Sequence, residues 1–312
     1  MSKIEEIAGA HLGKTSDGKT MMRYETPTEV DPSLLVGVPR ELNRVDYGIT
    51  DDSFVGFDVW NAYEFSYLKP NGLPVSGVLH ISYTSNSKCI VESKSLKLYL
   101  NSYNLCKLIV DPVLLIKQDL MPVLGVDDPI QLNVVFVKGE LNNSLSHGSL
   151  ILPELAHLEA VVNTDNVQFT ATKEDPSLLE AIEDGRMIRE SFSSSLLRSN
   201  CRVTNQPDWG DVIVTYRGKK RLAPLSLLKY IVSMRNENHF HEEICECIYK
   251  RLYDLLQPED LVVICLYTRR GGIDINPVRA SSSDAVRRVF TADPFATNEQ
   301  LYFYPLPRTI RQ

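Results

Sequence analysis

Residues 191–280 run SFSSSLLRSNCRVTNQPDWGDVIVTYRGKKRLAPLSLLKYIVSMRNENHFHEEICECIYKRLYDLLQPEDLVVICLYTRRGGIDINPVRA. SFSSSLLRSNCRV and DVIVTYRG read as strands, joined by NQPDWG, whose Asn, Pro, Asp and Gly favour turns. APLSLLKYIVSM and FHEEICECIYKRLYDLL then read as helices. In the second, Ile244, Ile248, Leu252 and Leu255 fall at helical spacing and make one apolar stripe. Asn238 is placed to cap that helix, and Glu242 and Glu243 in its first turn complement the positive end of the dipole. DLVVICLYTR and GIDINPVRA return to strand composition. The order ββααββ predicts a sheet covered by two helices.

Working outward, the first half shows a similar order. VGFDVWNAYEFSYL and PVSGVLHISYT flank the turn residues KPNGLP and predict a hairpin. Helical patterns begin near Lys94 (KSLKLYLNSYN) and near Asp111 (DPVLLIKQDLMPVL), where Pro112 suits a first turn. IQLNVVFVKG is again strand-like. LKLYLNSYN from Leu96 and LKYIVSMRN from Leu228 are faintly alike and occupy corresponding places. The expected organisation is α+β with two modules: an N-terminal extension (1–50), a first module (51–140), a linker with strand-like parts such as VQFTAT (141–185), a second module (186–282) and a C-terminal tail (283–312).

Composition narrows the class of function. The 312 residues carry a formal net charge of −7, which argues against a protein whose main task is to grip a nucleic-acid backbone and favours a small-molecule partner. The longest apolar runs are far shorter than the roughly 20 residues of a membrane span, and no export signal is readable, so the expected location is the cytoplasm. The six cysteines form no CxxC pair, so neither a disulfide framework nor a zinc ribbon is indicated. Cys245 and Cys247, two residues apart on a helix, point in different directions.

Cys201 stands seven positions before Asp208, with Pro207 turning the chain between them. By composition alone this cysteine reads as an inert structural thiol, and Asp208 as an ordinary turn residue. SNCRVTNQPDWGD, FHEE and YTRRGGIDINP occur in this order, however. Together with VESKSLKLY upstream they resemble the 7-cyano-7-deazaguanine reductases of queuosine biosynthesis, in their long, two-module form. The resemblance runs from LLVGVPRELNR through the second module, whereas the tail after Ala280 is longer than the family pattern.

That resemblance implies tandem modules of the tunnelling fold (T-fold), in which antiparallel sheets backed by helix pairs associate edge to edge and bind purine- or pterin-like ligands at module interfaces. It implies a four-electron reduction of the nitrile to an aminomethyl group with two NADPH and no metal. The catalytic roles fall on Cys201, which forms a covalent thioimide, Asp208, which supplies a proton, and His241, which assists later proton transfers. Substrate contacts fall on Val91, Glu92, Ser93, Phe240, His241 and Glu242. Phe240 offers a face for stacking, and the two carboxylates accept from the base's N–H groups. NADPH contacts fall on Ser93, Lys94, Arg270 and Gly271. A homodimer at least is expected, because open sheet edges are satisfied by joining modules.

The chemistry of these groups has its own logic. A nitrile is a poor hydride acceptor, and a thioimide protonated on nitrogen is a much better one, so covalent catalysis splits a hard step into easier ones. The thiolate is the reactive form, which calls for a neighbour to take its proton and return it to nitrogen. No GxGxxG follows a strand, so NADPH is not legible from a dinucleotide motif. Arg269 and Arg270 beside two glycines would nevertheless make a phosphate cradle favouring the 2′-phosphate form. Other readings stay open at this point: a purine- or pterin-binding module with an inert Cys201, a thiol-dependent nitrile hydrolase, or a tRNA-binding role for the basic RGKKR beginning at Arg217.

Overall fold

A computed structural model describes residues 27–138, 150–152, 154–291, 306, 307, 309 and 312. The fold is mixed α+β. A short strand β1 (Gly37–Pro39) and helix α1 (Glu41–Tyr47) precede the hairpin of β2 (Val55–Leu68) and β3 (Pro74–Thr84). Then come β4 (Cys89–Val91), helices α2 (Ser93–Asn101) and α3 (Pro112–Leu124), and strand β5 (Leu132–Lys138). Short elements β6 (Leu155–His157) and α4 (Leu158–Val161) lead to a second hairpin of β7 (Ala181–Asn200) and β8 (Pro207–Leu222). Helices α5 (Pro224–Ser233) and α6 (His241–Leu256), strands β9 (Asp260–Tyr267) and β10 (Ile273–Ala280), and helix α7 (Ser283–Val289) complete the order. Among the described residues no helix is long and apolar enough to cross a membrane.

The two halves share one eight-stranded sheet in the order β5-β3-β2-β10-β9-β8-β7-β6, antiparallel except where β6 meets β7. The join is β2 against β10, from Ile273 opposite Ala62 to Ala280 opposite Val55. A side chain at Gly56 would overlap the Val278 carbonyl oxygen, so glycine permits the close approach of the strands there. Strand β9 shows why both faces are covered. Leu261, Val263, Cys265 and Tyr267 face the core beneath α5 and α6, while Val262, Ile264 and Leu266 face a second core that includes Ala285, Val286 and Val289 of α7. A third core lies between β2, β3 and the pair α2 and α3, with Leu96, Tyr99, Ile116 and Leu120 buried in it.

The stripe read on α6 is real: Ile244, Ile248 and Leu252 are fully buried, and Leu255 packs at their margin. Each such side chain contributes roughly 1.5–3 kcal/mol. Asp111 caps α3 through the Val113 N–H, Pro112 opens the helix, and Gly125 at φ 63° ends it.

Four local expectations are corrected. The strand read as SFSSSLLRSNCRV begins ten residues earlier, at Ala181, and stops at Asn200. A register shift between Glu183 and Ile188, near Gly185 at φ 77°, hides the alternation of the early part. Cys201 therefore lies in the turn, whereas Asp208 lies within β8 opposite Ser199. VQFTAT is not a strand, because no sheet edge pairs with it. Asn238 does not cap α6. Phe240 is the N-cap residue, its N–H bound by Glu243 Oε2 at 2.9 Å, and the Asn238 side chain reaches Asn205 instead.

Candidate active site

A cavity of about 380 Å³ opens where the halves meet. The second half supplies Cys201 from the β7–β8 turn, Asp208 from β8, Phe240, His241 and Glu242 from the start of α6, and Arg270 from the β9–β10 turn. The first half supplies Glu92, Ser93 and Lys94 at the start of α2. Strand pairing across the join brings Trp60 of β2 opposite Ile275 of β10, and both line the wall. Three residues of the sequence reading lie off the lining, among them Arg269, whose guanidinium lies over the Tyr63 ring, 3.5 Å from its centroid. Val91 is buried in the first-half core, and Gly271, at φ 56°, follows Arg270 in the turn.

Cys201 is half-buried and faces this cavity. Cys245 and Cys247 are buried on α6, where burial pushes both thiols up, Cys247 to about 12. Cys201 is the cysteine that lines this cavity among the described residues. Asp208 is only 3 % exposed. Burial raises its pKa, but His241 Nε2, 3.4 Å from Oδ2, and the Arg270 guanidinium on Oδ1 together outweigh that effect and hold the carboxyl below its ordinary range. His241 stacks on the buried Tyr267 ring, with centroids 3.8 Å apart and planes 6° from parallel, which fixes the imidazole against Asp208.

Glu242 has the opposite electrostatics. It is 2 % exposed; burial, reinforced by Asp58, pushes its carboxyl up to about 8 against the pull of Arg40 and Arg279. Its Oε1, like His241 Nδ1 and Trp60 Nε1, is buried without a hydrogen-bond partner among the described residues. Each such atom costs about 1–3 kcal/mol until something meets it. Glu92 already has a local task, since its carboxylate caps α2 by accepting from the Lys94 N–H at 3.0 Å and the Ser95 N–H at 2.7 Å. Oε1 also accepts from the Ser93 hydroxyl at 3.4 Å, and Oε2 retains a further lone pair for a ligand.

Lys97, Trp60, His239 and Gln206 also line the cavity and escaped the sequence reading. Lys97 had a usable signal: it lies three positions after Lys94 and shares its helix face. A Cβ at Gly271 would stand 2.6 Å from Lys97 Nζ, so the glycine turn and the lysine approach closely. Lys94, Lys97 and Arg270 make one wall cationic, which fits the phosphates of a dinucleotide. Among the described residues no three His, Cys, Asp or Glu side chains gather into a metal-holding group.

Comparison with known proteins identifies the family. Residues 26–127 match the family described as "Nitrile reductase, 7-cyano-7-deazaguanine-reductase N-term", and residues 207–285 match "QueF-like protein". The NADPH-dependent 7-cyano-7-deazaguanine reductase of Colwellia psychrerythraea is 40 % identical over 261 residues, covering 81 % of this chain and 88 % of the relative. The protein of the same name from Rickettsia bellii is 38 % identical over 284 residues, covering 89 % and 95 %. The solved archaeosine synthase QueF-Like in the apo form aligns with TM-score 0.27 and 20 % identity over 30 % of this chain and 91 % of its own, too weakly to bear on the arrangement.

Proposed function

The chain belongs to the NADPH-dependent 7-cyano-7-deazaguanine reductase family, and from that premise we propose that it reduces the nitrile of 7-cyano-7-deazaguanine to an aminomethyl group, in the service of queuosine biosynthesis. The observation that carries the chemistry is the meeting of Cys201, Asp208, His241 and the buried Glu242 in one cavity.

Asp208, held ionised by His241 and Arg270, takes the Cys201 thiol proton as Sγ adds to the nitrile carbon, and the proton passes to the nitrile nitrogen. The product is a thioimide. NADPH, when bound, supplies hydride, two of them for the four-electron change. Lys94, Lys97 and Arg270 would hold its phosphates, and Ser93 and the Gly271 turn lie beside them. His241, with Nε2 3.4 Å from Asp208 Oδ2, relays protons as the amine forms and the cysteine is expelled. Glu242 and Glu92 accept from the base's N–H edge, and Phe240 stacks on its ring.

Tandem tunnelling-fold modules fit the ββααββ order of the second half and, among the described residues, the order β2, β3, α2, α3, β5 of the first, with residues 51–140 as one module and 186–282 as the other, the latter extended back to the start of β7 at Ala181. Among the described residues β5 is an outer strand, an edge on which a second copy would pair, which supports a homodimer.

The test mixes protein, 7-cyano-7-deazaguanine and NADPH, and follows the nicotinamide absorbance against amine formed. We expect two NADPH per aminomethyl product. Amide or acid formed without NADPH loss would identify a thiol-dependent hydrolase, and binding without reaction a ligand-binding module.

Glu242 makes a second expectation. The base's N–H donors need a carboxylate, and in the free protein that group ionises only near pH 8. Affinity for 7-cyano-7-deazaguanine, measured calorimetrically on a Cys201→Ala background, should therefore rise as pH climbs toward that value. Glu242→Gln should weaken binding by about 10–100-fold and remove the pH dependence. An unchanged profile in the glutamine variant would assign the recognition elsewhere.

A further inference from the structure

We propose that Arg270 is a positioning residue for the addition step, tying the base Asp208 to the turn that carries Cys201 before any cofactor is engaged. The inference deepens the cysteine-addition reading above and rests on it. Arg270 Nη1 donates to Asp208 Oδ1, and Nη2 donates to Gln206 Oε1. The Gln206 carbonyl oxygen in turn accepts the Cys201 N–H at 2.8 Å. One guanidinium therefore reaches both the base and the main chain that holds the nucleophile.

The rest of the turn is equally defined. Asn205, in the left-handed region at φ 55°, donates its N–H to the Cys201 carbonyl at 2.9 Å. From the other side, Asn238 Nδ2 donates to Asn205 Oδ1 at 2.8 Å and to the Cys201 carbonyl at 3.4 Å. Arg270 is itself anchored by reciprocal main-chain hydrogen bonds with Ile273, at 2.8 and 3.1 Å. A planar fork suits two acceptors in fixed places, which an ammonium does not.

In the addition step the Sγ–C bond forms, one π bond of the nitrile opens, and the thiol proton moves through Asp208 to nitrogen. No electrons leave the pair of reactants. Asp208 must begin the step ionised. The groups around it are His241 of α6, Tyr267 of β9, Arg270, and Cys201 on its turn. Glu242 of α6 and Glu92, Lys94 and Lys97 of α2 line the same cavity. Of these, His241 and Arg270 touch the carboxylate.

The experiment omits NADPH and measures the covalent adduct with 7-cyano-7-deazaguanine by intact-protein mass spectrometry, over time and across a pH series. Arg270→Met should slow adduct formation by about 10–100-fold near neutrality, the scale of a lost alignment. It should also move the acid limb of the rate to higher pH, because a carboxylate without its guanidinium ionises later. Arg270→Lys should restore the limb but only part of the rate. Gln206→Ala, which removes one arm, should slow the reaction with the limb unmoved. Arg270 is 38 % exposed at its side chain, so these variants spare the core. A wild-type rate and limb in Arg270→Met would overturn the proposal, as would a uniform fall at every pH. Absence of any adduct on the wild-type chain would instead overturn the cysteine-addition reading and this inference with it.

Discussion

Cys201→Ala is expected to abolish the covalent adduct and to lower NADPH consumption by roughly 10⁴-fold or more, the scale on which enzymes lose activity with their nucleophile. Without the thiol the nitrile keeps its triple bond, and hydride must attack a weak acceptor. Affinity for 7-cyano-7-deazaguanine should change by less than about tenfold, because Glu242, Glu92 and Phe240 rather than the sulfur hold the base in this reading. The variant should also fold normally, since Cys201 lies in a half-buried turn and not in the core. Turnover within about tenfold of wild type would remove Cys201 from the mechanism. The separation of binding from turnover distinguishes a lost nucleophile from a damaged pocket.

Arg279→Met is the second large expectation, and it concerns the join between the halves. Arg279 of β10 is fully buried and donates to Asp58 Oδ1 of β2 at 2.7 Å and to Glu246 Oε1 of α6 at 2.8 Å. Arg44 Nη2 reaches the same Glu246 oxygen at 2.8 Å, and Arg40 pairs with Asp58. Three guanidiniums thus share two buried carboxylates. Removing Arg279 leaves two guanidiniums on two carboxylates but takes the buried donors from Asp58 Oδ1 and from the Phe57 and Val278 carbonyl oxygens, which should cost about 3–5 kcal/mol, read from the urea midpoint. A loss under about 1 kcal/mol would mean that apolar packing alone holds the join.

The same cluster sets an acid limit. Burial raises the Glu246 carboxyl, but Arg279, Arg44 and Arg40 prevail and hold it at about 2. A depressed carboxylate contributes stability that is present above its ordinary 4.5 and is lost as pH falls toward 2. Glu242 feels Arg279 as well, so Arg279→Met should push its carboxyl higher still and weaken substrate binding at neutral pH. On the proposed role of Glu242, stability and recognition would be coupled through one arginine.

Much of this protein is legible in its chain. The stripe of Ile244, Ile248 and Leu252, the Asp111–Pro112 start of α3 and the strand composition of β9 each follow from interactions within a few residues. The local helical period, strand propensity and the chemistry of helix starts suffice to find them. The SNCRVTNQPDWGD and FHEE segments likewise singled out Cys201, Asp208, His241 and Glu242 through family resemblance, and the fold brings the four to one cavity. Tertiary structure alone decided that β2 runs beside β10, because every strand edge offers the same N–H and C=O groups and no local pattern names its partner. That pairing set Trp60 opposite Ile275 in the cavity wall and brought Asp58 to Arg279, 221 positions away. The turn that placed Arg270 against Asp208 belongs to the same class: its energy comes from contacts between distant segments, and those exist only once the chain has closed on itself.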